Sequence, residues 1–156
     1  MQHEDHMREA IRLASEGAAS GRGGPFGCVV VRRGEIVGRG SNAVTSTFDP
    51  TAHAEVTAIR DACSRLRQFQ LADCELYTSC EPCPMCLAAI YWARIPKVYY
   101  GNGRHDAAAI GFDDAFIYEQ VSLPPERRAV ALLPLLREEA LASFRLWAAK
   151  SDRTPY

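Results

Sequence analysis

Ser79-Cys80-Glu81-Pro82-Cys83-Pro84-Met85-Cys86 decides the reading of this chain, taken together with His53-Ala54-Glu55 upstream. Pro84 suits an early helical position, so the stretch reads as a strand end running into a helix. Cys83 and Cys86 are three apart, and on a first helical turn that spacing puts both sulfurs on one face. A helix N-terminus favours the thiolate, which is the ligand form. His53 sits near the start of another helix and offers a third donor. Glu55 lies two residues on, roughly 200° around a regular helix. The two can address one point only if that helix N-terminus itself faces it, which also turns the backbone N–H of Ala54 or Glu55 toward a substrate.

Two thiolates, one imidazole and one unligated carboxylate are the composition of a catalytic zinc site with an open position. Zinc lowers the pKa of a bound water from ~15.7 to ~7. At ~1.36 kcal/mol per unit that is roughly 12 kcal/mol of hydroxide stabilisation, beyond any side-chain base. A nearby glutamate can then take the water proton and return it to ring and leaving group. His-x-Glu with Pro-Cys-x-x-Cys is the signature of zinc nucleobase deaminases. Two blander readings compete. Cys74, Cys80, Cys83 and Cys86 could close a structural zinc site, which leaves His53 and Glu55 unexplained. A Cys-x-x-Cys redox pair leaves the histidine unexplained as well. Cys28 and Cys63 read as small buried hydrophobes, and His3, His6 and His105 as surface residues.

The chain has 156 residues, 47% apolar, with 18 basic and 19 acidic side chains and a net charge of −1. One domain of this size buries roughly 70% of its unfolded surface without disulfide staples. The charge balance argues against a nucleic-acid partner, since phosphate neutralisation needs a basic excess. The N-terminus lacks an apolar signal region, and the longest apolar run, 129–136, is interrupted by Pro134. No membrane span is expected, and a cytoplasmic location is, where clustered cysteines point to metal or catalysis.

Periodicity predicts a helix over 5–19, strands over 26–31 and 35–39 joined by a turn at Arg33-Gly34, and a polar loop over 40–50. A helix from 51 or 52 to 66, a strand over 75–78, a helix over 84–93 and a strand over 97–100 follow. Alternating strands and helices imply parallel strands with crossover helices, and ligand sites beyond the strands' carboxyl ends. Beyond Gly101 the chain reads as loop and short helix, with a last strand over 130–133 and an amphipathic helix over 137–150. Tyr91 and Trp92 are expected in the core or at an interface.

Pro50-Thr-Ala-His-Ala-Glu55 and Pro82-Cys-Pro-Met-Cys86 resemble the cytidine deaminase-like superfamily. The resemblance implies an α/β fold, a three-layer α/β/α sandwich around a mixed five-stranded sheet. These motifs are shared with tRNA adenosine deaminases and do not choose a substrate. Gly23-Gly-Pro-Phe-Gly27, Tyr77–Cys86, Ala89-Ile-Tyr-Trp-Ala-Arg94, Gly111-Phe-Asp-Asp-Ala-Phe-Ile-Tyr118 and the final Tyr156 resemble the bacterial guanine deaminases. That likeness runs over the whole chain and is weakest over 120–149, with Gly101–His105 also departing from the pattern. It implies one Zn2+ per chain on His53, Cys83 and Cys86, and hydrolysis of guanine with Glu55 as proton shuttle. It implies Phe26 stacking on the purine, Asn42 and the Ala54 backbone on its edges, and Asp114 on the amino side, aiding the leaving group. It also implies a homodimer with exchanged C-terminal segments, so that Tyr156 closes the partner's pocket.

A carboxylate suits guanine's donor edge and an amide its acceptor edge. Phe26 could equally be core, Asn42 a turn residue, and Asp113 or Asp114 a helix cap before Ala115. Guanosine and aminated triazines are the neighbouring substrates, with tRNA adenosine a more remote one.

Overall fold

In the computed structural model, which describes residues 2–156, the order of elements follows the chain from a long helix α1 (Gln2–Ala19) into a hairpin of β1 (Gly27–Arg32) and β2 (Glu35–Ser41). A helical turn α2 (Val44–Thr47), helix α3 (Ala54–Leu66), strand β3 (Cys74–Cys80), helix α4 (Pro84–Trp92) and strand β4 (Lys97–Asn102) come next. Then come α5 (Arg104–Ala109), α6 (Ala115–Ser122), a 3-10 turn at Pro125–Arg127 and α7 (Arg137–Ala149).

The sheet runs β2-β1-β3-β4, four strands where five were expected. It is mixed, as the resemblance implied, but not through a simple parallel run. β1 is antiparallel to both β2 and β3, while β3 and β4 are parallel. Hence β2, β3 and β4 share one direction and β1 is inserted against it. The consequence is positional: the carboxyl ends of those three strands and the start of β1 lie along one edge of the sheet. Asn42, Cys80 and Gly103 follow or end the first three, and Phe26 precedes the fourth.

Both sheet faces are covered, which makes the three layers. Alternate residues Cys28, Val30 and Leu76 pack with Ala54, Ala58 and Ala62 of α3 and Ile90 of α4. Val29, Val31 and Tyr77 face the other way, with Met7 and Leu13 of α1 packed against them. The period of two in β1 thus feeds two cores. The small stripe of α3 meets glycines on β2: a Cβ on Gly38 would lie 2.5 Å from the Ala58 carbonyl oxygen, and one on Gly40 would strike that of Ala54. Only backbone without a side chain lets α3 come this close.

The chain divides into a first compact unit ending at Asp114 and a second, Ala115–Tyr156. In the second, the strand expected over 130–133 does not form. Val130, Leu132 and Leu133 are exposed, and an extended run without a neighbouring strand forms no ladder. Neither α6 nor α7 has a buried residue. Tyr91 and Trp92 are also exposed, so neither is core. His6, expected at the surface, is buried on the inner side of α1 beside Tyr77, and Cys63 is half-buried. No helix of the described residues is long and apolar enough to cross a membrane.

Candidate active site

α3 and α4 both begin at the same sheet edge, and their N-cap residues are His53 and Cys83. The histidine is therefore not inside the helix, as the expected start at 51 or 52 had it. It precedes the first turn, with Thr51, Asp49 and Ala52 forming a hydrogen-bonded turn ahead of it. Its extended backbone (φ −70°, ψ 157°) swings the ring over the helix end. The Sγ atoms of Cys83 and Cys86 each lie 3.5 Å from His53 Nδ1. Among the described residues these form the one group of donors able to hold a metal ion, all within 4.8 Å of one another. A tetrahedral zinc with ligands at about 2.1–2.3 Å needs donors roughly 3.6 Å apart, so the three atoms fit one ion. Cys74 and Cys80 are at opposite ends of β3, about 20 Å apart at ~3.3 Å per residue, so the closed four-cysteine site is excluded.

The electrostatics suit a cation. The Cys83 thiol is drawn down to about 4, first by a hydrogen bond from the Cys86 thiol and then by the His53 ring. Cys86 is pushed up by the neighbouring Cys83 and by burial. The His53 imidazole is raised by its bond to Cys83. Cys80 lies apart from this proton sharing. Burial pushes it up to about 11, and its thiol points to the Gly103 carbonyl at 3.9 Å. It is a wall of the site.

Glu55 is buried, and burial raises its carboxyl above the ordinary range. Its Oε1 accepts a hydrogen bond from the Thr78 hydroxyl at 3.1 Å, and its carboxylate also receives the Cys86 thiol. Glu55 thus stands beside the metal donors without being one. Ala54, fully buried, is the first residue of α3, where a backbone N–H has no intrahelical acceptor.

Asn42 is buried at the end of β2 and is more than a turn residue. Its Oδ1 accepts from the N–H groups of Gly24 (3.1 Å) and Val44 (3.2 Å), and its own N–H donates to the Phe26 carbonyl (3.0 Å). With the oxygen committed twice, the side-chain NH2 is the group left to face a ligand. Phe26 is half-buried at the rim of the core, edge-on to Phe112 at 5.0 Å, and both rings close over Gly24. Asp114 is half-buried and paired with Arg104, Nε to Oδ1 3.5 Å. The charges of Asp114 and of Glu55 both help to push up the Cys80 thiol, after burial. Tyr156 is exposed in the second unit.

Two polar residues escaped the reading of the sequence: Thr78, which orients Glu55, and Ser79, whose Oγ accepts the Gly27 N–H at 3.0 Å. Their signal was present in β3, where period two sends Thr78 to the face that carries α3.

The cytidine and deoxycytidylate deaminase zinc-binding region matches residues 1–102. The chain is 51% identical over all 156 residues to the guanine deaminase of Bacillus subtilis (strain 168), covering 100% of each. The chain belongs to this zinc-binding deaminase family. The crystal structure of the Bacillus subtilis guanine deaminase superposes with a TM-score of 0.96, covering 100% of this chain and 99% of that one. A tRNA-specific adenosine deaminase of Aquifex aeolicus is 44% identical over 94 residues, 60% of this chain and 59% of that protein. The deaminase likeness to the tRNA enzyme is thus confined to part of the chain, whereas the likeness to the guanine enzyme includes the second unit. His53, Cys83 and Cys86 supply the donors for the family's zinc, one Zn2+ per chain.

Proposed function

We propose that this chain hydrolyses guanine to xanthine and ammonia in purine catabolism or salvage. The observation that carries the reading is the match to a guanine deaminase over the whole chain, at 51% identity and TM-score 0.96. His53, Cys83 and Cys86 would hold the zinc, which would supply a Lewis acid able to bring a water's pKa near neutrality. Glu55 carries the protons: its buried carboxylate takes one from water and gives it to the ring nitrogen, then takes the second from the added hydroxyl and gives it to the amino group, which departs as ammonia. The Asn42 NH2 donates to the acceptor edge of guanine, and the Ala54 N–H to a second acceptor. The Asp114 carboxylate accepts from the amino and N1 side and assists ammonia's departure. Phe26 covers one face of the ring. Burying this many directed polar groups rejects a base with the wrong edge by about 10⁴ or more.

The second unit supports a homodimer of single-domain chains with exchanged C-terminal segments, Tyr156 closing the partner's pocket. Leu133, Leu135, Phe144, Leu146 and Trp147 are all exposed, and a segment this short builds no core alone. Six cysteines, all free among the described residues, fit the reducing cytoplasm.

Purified protein is tested for ammonia release from guanine, guanosine, adenine, cytosine, an aminated triazine and a tRNA anticodon stem. Guanine is expected to be turned over, and Glu55→Ala to abolish turnover while keeping zinc. A zinc-loaded wild-type protein inert on guanine refutes the substrate. Tail-deleted and Glu55→Ala chains mixed in one dimer are expected to regain activity; no recovery means each tail closes its own pocket.

A further inference from the structure

Asp114 ends the first unit on a loop that follows Gly111, whose φ of +96° turns the chain sharply. A loop carboxylate that must meet a substrate edge within a few tenths of an ångström needs a brace. Arg104 is placed to be that brace. Its backbone N–H donates to Glu81 Oε2 at 3.1 Å, while the Glu81 N–H donates to the Asn102 carbonyl at 2.8 Å. The start of α5 is thereby tied to the residues between β3 and Cys83. From that fixed point the Arg104 guanidinium reaches Asp114, Nε to Oδ1 3.5 Å. Asp114 is 18% exposed and Arg104 37%, so the acid is the more sheltered of the two. The ion pair thus ties the carboxylate to the start of α5.

We propose that Arg104 is a positioning residue for Asp114. It holds the carboxylate in register with the zinc-ligand loop through this ion pair, so that Asp114 addresses the amino side of the purine. This rests on the reading of Asp114 as a substrate-contacting group.

A double-mutant cycle on the zinc-loaded full-length protein tests it, reading kcat and KM on guanine, zinc content and Tm. Arg104→Gln is expected to lower kcat/KM about ten-fold, less than the hundred-fold of a fully lost alignment because the pair is partly solvated. In an Asp114→Asn background the same substitution is expected to change kcat/KM by less than about two-fold, because nothing is left to position. Arg104→Lys keeps the charge without the guanidinium fork and is expected to fall between wild type and Arg104→Gln. Equal losses in both backgrounds overturn the proposal and make Arg104 a general brace. An impaired Asp114→Asn beside a fully active Arg104→Gln overturns it as well. Wild-type turnover in Asp114→Asn overturns the role of Asp114 and the proposal with it, an outcome distinct from the other two.

Discussion

Thr78→Val removes one oxygen and little else. Thr78 is 1% exposed in β3, its hydroxyl donates to Glu55 Oε1 at 3.1 Å, and valine fills nearly the same volume. A hydrogen bond to a charged group contributes about 1.5–3 kcal/mol, and leaving its acceptor unpaired in a buried site costs at the upper end. Glu55 keeps its own backbone N–H and the Cys86 thiol, so the carboxylate loses its aim more than its solvation. Converted at ~1.36 kcal/mol per factor of ten, kcat is expected to fall roughly 10- to 100-fold. One effect opposes this. The hydroxyl lowers the Glu55 pKa, so its loss makes the carboxylate a stronger base. Proton transfer in the transition state is partial, so basicity returns only part of what misalignment removes. The assay is steady-state ammonia release from guanine, with zinc measured on the same preparation. Thr78→Ser restores the donor and is expected to recover most of the rate. A Thr78→Val enzyme with full zinc and kcat within about two-fold of wild type refutes the orienting role. Loss of zinc instead would assign Thr78 to the ligand set.

Cys80→Ala is expected to retain one zinc per chain and Cys86→Ala to lose it, because only Cys86 among the two faces His53 Nδ1; metal analysis after dialysis decides. Gly40→Ala drives a Cβ into the Ala54 carbonyl at the start of α3, so it is expected to cost about 1–3 kcal/mol and to weaken zinc binding, read by chemical denaturation and chelator competition. Glu9 is held down to about 2 by Arg12 first and Arg39 next, against an ordinary 4.5. A depressed carboxyl stabilises the fold above its unfolded pKa, and that contribution drains away as pH falls from about 4.5 toward 2. Its partners Arg12 and Arg39 are 49% and 43% exposed, so solvent screening limits Glu9→Gln to about 1 kcal/mol at pH 7. Melting curves of both proteins are expected to converge as pH drops; a gap that stays constant to pH 2.5, roughly, refutes the linkage.

What could be read from the residues was the part governed by local chemistry. The Cys83–Cys86 spacing and Pro84 fixed a helix start with two sulfurs on one face, and the structure builds that turn at α4. The unbroken apolar, β-branched run of β1 marked a buried strand, and both its faces are covered. The direction of β1 was not legible, because a hairpin partner and a crossover partner leave the same hydrophobic pattern on a doubly buried strand. The role of Asn42 needed three dimensions. Polarity placed it in a loop, but only the folded chain shows that its Oδ1 is committed to the backbone N–H groups of Gly24 and Val44. The second unit resisted for a different reason. Val130–Leu133 has strand composition, yet strand formation depends on a neighbour that the sequence of one chain does not name.

The way the zinc donors are mounted explains why they sit so firmly on two different helices. Both α3 and α4 start without a side-chain cap. Serine, threonine, asparagine or aspartate at such a position would stabilise each helix by about 1 kcal/mol. Those positions are taken instead by His53 and Cys83, each with the extended backbone of an N-cap, ψ 157° and 169°. That conformation is what turns both side chains back across their helix ends, toward one another. Part of the lost capping returns electrostatically, since a thiolate at a helix N-terminus meets the positive end of the helix dipole. The Cys83 thiol, already drawn down to about 4, is the group best placed to use it. A missing side-chain cap is not special to these two helices, since α2 and α7 also begin without one, at Ala43 and Leu136. What sets α3 and α4 apart is that the residue in each cap position, extended in backbone, is a donor to one and the same metal site, which is what selection for a site, against stability, leaves in a fold.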